Sequence, residues 1–145
     1  MKTAADVLKS KAHQAVHTIT PGALVFDALK LMADKNIGAL LVMKGVVLTG
    51  IFSERDYARR MILHGRASRN TKVHEVMTEK VFVITPDATS GECMMHMTDR
   101  HIRHLPVVEG GRVVGVISIG DVVRTVIDDL RFTVRQLESY IKSGG

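Results

Sequence analysis

The side chains best suited to chemistry in this 145-residue chain come as a matched pair of stretches. Gly50–Asp56 reads GIFSERD, and Gly115–Asp121, 65 residues later, reads GVISIGD. Each sets a serine three places ahead of an aspartate, Ser53 with Asp56 and Ser118 with Asp121, behind a glycine and two apolar residues. A serine at a helix start accepts from the third amide, and an acid at that position answers the helix dipole, so the pattern reads first as a cap. The same place is also an anion site, because free amides and the positive dipole end point out of it. A hydroxyl there suits a phosphate, and a carboxylate one turn on suits the two hydroxyls of a ribose. Capping makes no demand on the residues upstream, so the doubled glycine-led pattern points to a nucleotide as well. The two roles are compatible.

No catalytic constellation accompanies the pair. The sequence holds no nucleophile elbow, no Walker glycine loop and no HExxH, so an enzyme is not expected. His101 and His104 are three apart; on a strand that spacing puts them on opposite faces, so no metal site is expected. Cys93 aligns with Ala28 on an apolar face and reads as a small buried hydrophobe, and Met94, Met95 and Met97 beside it read as core filler.

The elements that must position these residues are written twice. Slid by the same interval, Ile19-Thr20-Pro21 falls on Ile84-Thr85-Pro86, Met32 on Met97, Leu40 on Leu105, Gly45 on Gly110 and Arg59 on Arg124, without a gap. That is a duplication. Each copy opens with an extended segment stopped by its proline, followed by a helix with apolar residues at Val25, Ala28, Leu29 and Met32, or at Cys93, Met94 and Met97. Two apolar strands joined through glycine come next, then a helix opening at the serine. The unit is β-α-β-β-α, and the fold class is α+β. A single unit is too small for a secure core, so the two are expected to pack through their sheets. The expected divisions are residues 1–66 for the first repeat with an N-terminal helix, 67–80 for the link, 81–128 for the second repeat and 129–145 for a C-terminal helix extension.

Composition narrows the class. Apolar residues make up 46% and charged ones 24%, a globular balance, and with aromatics at 4% the core has to be aliphatic. No apolar run approaches the roughly 18 residues of a membrane span. The opening MKTAADVLKSKAHQ has no apolar leader. With a single cysteine besides, the expected compartment is reducing, most simply the cytoplasm. The net charge of +5 is concentrated between Arg55 and Lys72. That stretch has only Tyr57 to stack a base and no groove-reading motif, which points away from nucleic acid and toward a solvated face or a small anion. Arg66 and Arg69 in the link are placed either to reach a long dinucleotide or to sit as solvated charges.

Together the doubled ITP, the strand starts NIGALLV and HIRHLPVV, and GIFSERD with GVISIGD resemble a pair of CBS domains forming a Bateman module, over residues 5–128. The likeness is nearest to stand-alone two-domain CBS proteins of bacteria and plant organelles. The resemblance implies repeats packed through their sheets, with clefts that bind adenosyl ligands, AMP or NAD(H) foremost, and otherwise ADP, ATP or S-adenosylmethionine, without metal. It implies Asp56 and Asp121 as ribose ligands and Ser53 and Ser118 as ribose or phosphate ligands. It also places Ile37, Gly38 and Ala39, with Ile102, Arg103 and His104, along the adenine pockets, and backbone near Thr18 and Val83 against the adenine. The copies then diverge. Gly38-Ala39 stands against Arg103-His104, and Glu54-Arg55 against Ile119-Gly120. Arg103, His104 or Arg55 can neutralise a phosphate, so the two sites are expected to be unequal.

Past Asp121 the apolar pattern continues through Val123, Ile127, Leu130, Val134, Leu137 and Ile141, spaced as a heptad seam. Either this helix folds back on its own core or on the N-terminal helix, or it serves a homodimer, as the family's disc-like dimers imply. The expected function is a regulatory sensor whose adenine nucleotide alters a partner protein. The competing expectation is a ligand-independent interaction module, for example a regulator of a thioredoxin-type enzyme.

Overall fold

The computed structural model describes residues 2–11 and 15–144. In chain order the elements are α1 (Ala4–Ser10), β1 (Thr18–Ile19), α2 (Val25–Lys35), β2 (Ala39–Lys44), β3 (Val47–Ser53), α3 (Glu54–Asp56), α4 (Val73–Val76), α5 (Ser90–Arg100), β4 (His104–Glu109), β5 (Arg112–Ser118) and α6 (Ile119–Gly144). They form two units. One runs from Ala15 to Phe82. The other takes everything from Val83 onward together with the N-terminal segment and α1.

Within Ala15–Phe82 the sheet order is β1-β2-β3. β1 lies parallel to β2, with Thr18 opposite Leu41, and β2 lies antiparallel to β3, with Ala39 opposite Ser53. The hairpin closes through Gly45 at φ 64°, a left-handed position glycine adopts without a Cβ penalty. Val25, Ala28 and Met32 of α2 pack with Leu40, Val42 and Phe52 of the sheet, and Met61, Val73, Val76 and Met77 complete the core. The helix that opens at Ser53 is not regular. After α3 it widens to a π-helical turn (Tyr57–Met61), tightens to a 3-10 turn (Ile62–His64) and stops at Gly65, φ 64°. α4, from the link, belongs to this unit: Val73 N–H donates to Ala23 O at 2.8 Å and Thr78 exchanges both backbone bonds with Ile51. Arg66 and Arg69 of the link are engaged as well, Arg66 with Glu75 Oε1 at 2.7 Å and Arg69 over the Phe26 ring at 4.3 Å.

The second unit repeats the plan with one omission. β4 and β5 pair in the register of β2 and β3, with His104 opposite Ser118 and the same bulge one turn before the hairpin. The extended segment that corresponds to β1 does not form a strand; Ile84 makes only a single bridge to Val107. The cause is one residue. Leu41 donates its N–H to His17 O at 3.3 Å, whereas the matching position in the second repeat is Pro106, which has no N–H to give. Met97 and Cys93 are buried as expected, but Met95 is 55% exposed, because two residues along a helix is the opposite face.

α1 packs on β5, α5 and α6 of this unit. The grouping expected from sequence order, residues 1–66 with the N-terminal helix on the first repeat, therefore differs from the fold, in which α1 serves the second repeat and α4 the first. Each helix is seated on a glycine. A Cβ at Gly50 would stand 2.6 Å from Met77 Sδ and 2.9 Å from Thr78 O; at Gly115 it would stand 2.6 Å from Leu8 Cδ2. Among the described residues no helix is long and apolar enough to cross a membrane.

Gly50→Ala therefore meets backbone that is pinned by the Ile51–Thr78 bonds, while Gly115→Ala meets the end of a flexible leucine. Gly50→Ala is expected to cost about 1–3 kcal/mol and Gly115→Ala less, read as the shift in urea midpoint. Equal costs at the two sites would count against this account.

Candidate functional site

Each repeat brings its paired serine and aspartate to a corner where a strand ends and a helix begins. At the first corner Ser53 N–H donates to Asp56 Oδ2 at 2.9 Å, Ser53 Oγ donates to the same oxygen at 3.1 Å, and Asp56 N–H donates back to Ser53 Oγ at 3.2 Å. At the second, Ser118 N–H donates to Asp121 Oδ2 at 2.9 Å and Asp121 N–H to Ser118 Oγ at 3.2 Å. Both are reciprocal capping boxes. The neighbouring strand joins the corner through a carbonyl: Glu54 N–H donates to Gly38 O at 3.0 Å, and Ile119 N–H to Arg103 O at 2.8 Å.

The strand starts are delivered by the preceding helix ends. Asn36 and His101 both take φ 54°, and Ile37 and Ile102 donate to Met32 O and Met97 O, five residues back. This is a Schellman closure, which turns the chain from helix into strand within three residues. His101 is thus the left-handed end of α5 and not a strand residue opposite His104. The sequence offered a hint in Asn36, a residue tolerant of φ > 0, but none in histidine. Among the described residues no three His, Cys, Asp or Glu side chains come together to hold a metal ion.

Gly38, Ala39, Ser53 and Asp56 therefore share one corner, with Ile37 half-buried at its edge and Arg55 exposed on α3. Thr18 lies exposed on β1 opposite Leu41, two residues along β2 from Ala39. Arg103, His104, Ser118, Gly120 and Asp121 share the other corner, with Ile102 half-buried beside it. Val83 is exposed, next to the residue that bridges Val107.

What surrounds the two carboxylates differs, and through residues outside the repeat pattern. Asp56 Oδ1 accepts from Thr78 Oγ1 at 3.0 Å and lies 3.9 Å from Arg60 Nε. Arg60 in turn donates to Met77 O at 2.7 Å, holding the end of α4 against the corner. Asp121 faces a full cation: Lys11 Nζ lies 2.9 Å from Oδ2 and also donates to Val116 O at 2.7 Å, with Arg124 3.5 Å from Oδ1. Burial, the largest influence on Asp121, raises its pKa, but the Ser118 amide and Lys11 outweigh it and the net shift is downward. Burial chiefly, with Lys11 and Arg103, pushes His104 below the ordinary histidine value, against a pull upward from Asp121. Lys11 and Thr78 were invisible to the repeat alignment because both follow the exchanged helices. The one available signal was the likeness of Val7-Leu8 to Val76-Met77, of which Leu8 and Met77 are set against Gly115 and Gly50.

Residues 4–63 and 73–128 each match the CBS domain. The chain is 42% identical to the CBS domain-containing protein CBSX3, mitochondrial, of Arabidopsis thaliana, over 98% of this chain and 73% of that protein. A solved CBS-domain protein from Burkholderia ambifaria MC40-6 is 48% identical, with a TM-score of 0.86 over 88% of this chain and 96% of that one. A structure of CBSX2 in complex with AMP shares the fold at 23% identity, with a TM-score of 0.74 over 88% and 98% of the two chains.

Two outcomes follow from the corner geometry. Thr78→Val leaves Asp56 Oδ1 short of a buried donor and is expected to lower unfolding free energy by about 1–2 kcal/mol, read by urea titration; no change would show that the bond carries nothing. His104 titrates lower folded than unfolded, so the unfolded chain binds more protons below the ordinary histidine value, and stability falls as pH drops from about 6.5. The loss levels off once the folded His104 is itself protonated. Asp121, lowered in the fold, contributes above the ordinary carboxylate value and loses that contribution only in stronger acid, as pH falls through its folded pKa. Melting temperature measured from about pH 7 to about pH 5 should therefore decline in the native chain and flatten in His104→Asn.

Proposed function

The chain belongs to the CBS-domain family as a tandem regulatory module rather than an enzyme, and on that premise we propose that it is a sensor that binds an adenine nucleotide at its two serine–aspartate corners and thereby alters a partner protein. The observation that carries this reading is the doubled corner itself: a serine hydroxyl, a buried carboxylate and the start of a helix held beside a strand start in each repeat. Asp56 and Asp121 accept the ribose hydroxyls, and Ser53 and Ser118 meet the ribose or phosphate. Gly38 and Ala39 leave the first corner open to an adenine edge, with Ile37 and the backbone at Thr18 beside it. Ile102 and the backbone at Val83 do the same in the second.

The ligand preferences of the corners differ. Arg103 and Lys11 give the second corner a phosphate-seeking character, with His104 beside them as a neutral hydrogen-bond donor, and the 26-residue α6 supplies a full helix dipole there. The first corner has Arg55 and a shorter, irregular helix that runs from Glu54 through its π and 3-10 turns to His64. AMP is the first ligand to try, since the same fold carries AMP in CBSX2; NAD(H) follows, then ADP, ATP and S-adenosylmethionine. A ligand of this kind switches the module only if it prefers one conformation over another. The buried, single cysteine fits a reducing compartment, cytoplasmic or organellar.

A second reading has its own observation. Each aspartate already serves its serine and a further donor, Thr78 or Lys11, so both corners are complete as caps without a ligand. In that reading the module is a ligand-independent interaction surface. A thermal-unfolding series against AMP, ADP, ATP, NAD, NADH and S-adenosylmethionine, with GTP as control, separates the two. A ligand at about 100 times its Kd should stabilise by about 2.7 kcal/mol, several degrees at this size. The shift, taken relative to each protein's own unliganded Tm, should vanish in Asp56→Ala/Asp121→Ala. No shift with any adenosyl compound would overturn the nucleotide reading and leave the corners as caps.

A further inference from the structure

Lys11 stands outside the repeat pattern and yet touches the second corner. It ends α1 in an extended conformation, its backbone N–H donating to Leu8 O at 3.3 Å. α1 is itself fixed to its unit. Ala4 N–H donates to Ala88 O at 2.7 Å, Ser90 N–H donates to Lys2 O at 2.8 Å, and Leu8 lies against Gly115. The lysine therefore starts from a set position, and its side chain is only 22% exposed.

An ammonium has three donors. Among the described residues two of them are taken, by Asp121 Oδ2 at 2.9 Å and by Val116 O at 2.7 Å. The third is left for an incoming acceptor. The carboxylate is shared out in the same way. Oδ2 accepts from Ser118 N–H as well as from Lys11, which fills its two lone pairs, so a ribose has to use Oδ1. Oδ1 is met by Arg124 at 3.5 Å, a side chain that is 66% exposed and able to give way.

The charges around this corner do not cancel. Arg103, whose field reaches His104, joins Lys11 and Arg124 about the one carboxylate. At the first corner Asp56 and Glu54 stand with Arg55 and Arg60, and Arg60 lies 3.9 Å from Asp56 while bonded to the Val76 and Met77 carbonyls. A neutral adenosyl group gains little at the second corner, since its ribose finds half of the carboxylate engaged. A phosphate gains a charge-assisted bond from the third Lys11 donor. A ligand of net positive charge meets repulsion, as S-adenosylmethionine does through its sulfonium and ammonium groups.

We propose, given the nucleotide reading, that Lys11 sets the ligand class of the second corner: an adenosyl ligand is held there when it brings a phosphate, and one that is neutral or positively charged is turned away. The selection is built into the fold through α1, and the first corner does not share it.

Isothermal titration of AMP, adenosine and S-adenosylmethionine into the native chain, Lys11→Met, Lys11→Gln and Lys11→Arg tests this, each variant first shown to melt cooperatively. The first corner is common to all four chains, so the differences between them belong to the second. Lys11→Met should weaken AMP by about tenfold or more and leave adenosine as it was or tighter, because Asp121 Oδ2 comes free. Lys11→Gln keeps donors at that place without the charge, should lose AMP in the same way, and stands in if the methionine variant does not fold. Lys11→Arg should keep most of the AMP affinity. Unchanged AMP binding in the methionine and glutamine variants overturns the proposal. So does a loss of AMP and adenosine by the same factor, which would make Lys11 a structural support only. A native chain in which neither site prefers AMP to S-adenosylmethionine overturns it without any variant. If the native chain binds none of the three, the nucleotide reading itself has failed and Lys11 has no ligand to select.

Discussion

The rest of the structure hangs on a carboxylate that reaches backward. Asp56 and Asp121 each sit in the first turn of a helix and bond to the amide of the serine that ends the preceding strand. That bond satisfies the last donor of the strand while the serine hydroxyl satisfies an orphan donor of the helix, two of the groups a strand-to-helix turn would otherwise leave bare. The carbonyl of the adjacent strand start closes the corner from a third side. With the direction of the helix, the end of one strand and the start of its neighbour fixed together, the remaining elements have little freedom. The hairpin determines the far end of the sheet, and the Schellman turn determines how the earlier helix lies across it.

On this common frame the repeats have drifted in charge rather than in shape. The registers of the two hairpins match residue for residue, bulge included. What differs is what compensates the buried carboxylate: a neutral hydroxyl with a distant guanidinium at Asp56, an ammonium in contact at Asp121. The ammonium costs its own desolvation and accepts a geometric demand, met by its second bond to Val116 O. It also sets the field felt by His104, the residue that replaces the small Ala39. One substitution in the strand and one lysine outside the repeat give the second corner a titratable character that the first lacks.

How much of this could be read from the sequence depended on whether the responsible contact was local. The capping boxes, the glycine hairpins and the apolar faces of α2 and α5 involve residues within a few positions of one another, and their pattern survives in the letters. The missing strand at Ile84 was also written locally, as Pro106, but its meaning needed the partner residue His17 in the first copy for comparison. The π-helical widening at Tyr57–Met61 left no such mark. Lys11 and Thr78 were out of reach because the alignment of the repeats ended before the helices that precede them. Met95 was misplaced for a simpler reason: a run of three methionines in four positions cannot all face one side of a helix.

The exchange of helices between the repeats bears on the order in which the chain can be made. The first unit is closed by contacts such as Thr78 to Asp56, 22 residues apart, and is complete soon after its last residue leaves the ribosome. The second is closed by Lys11 to Val116, 105 residues apart. The extra loop entropy is small, about 1.4 kcal/mol by the logarithm of the two lengths, so the finished protein gives up little for it. The burden falls on timing. α1 is synthesised well ahead of the rest of its unit and is among the last elements to find its seat, so Val7 and Leu8 stay unburied until β5 has emerged. Its own capping box, Thr3 with Asp6, gives that waiting segment a local structure to hold, and the polar residues around it keep its two apolar side chains few and separated from other exposed surface.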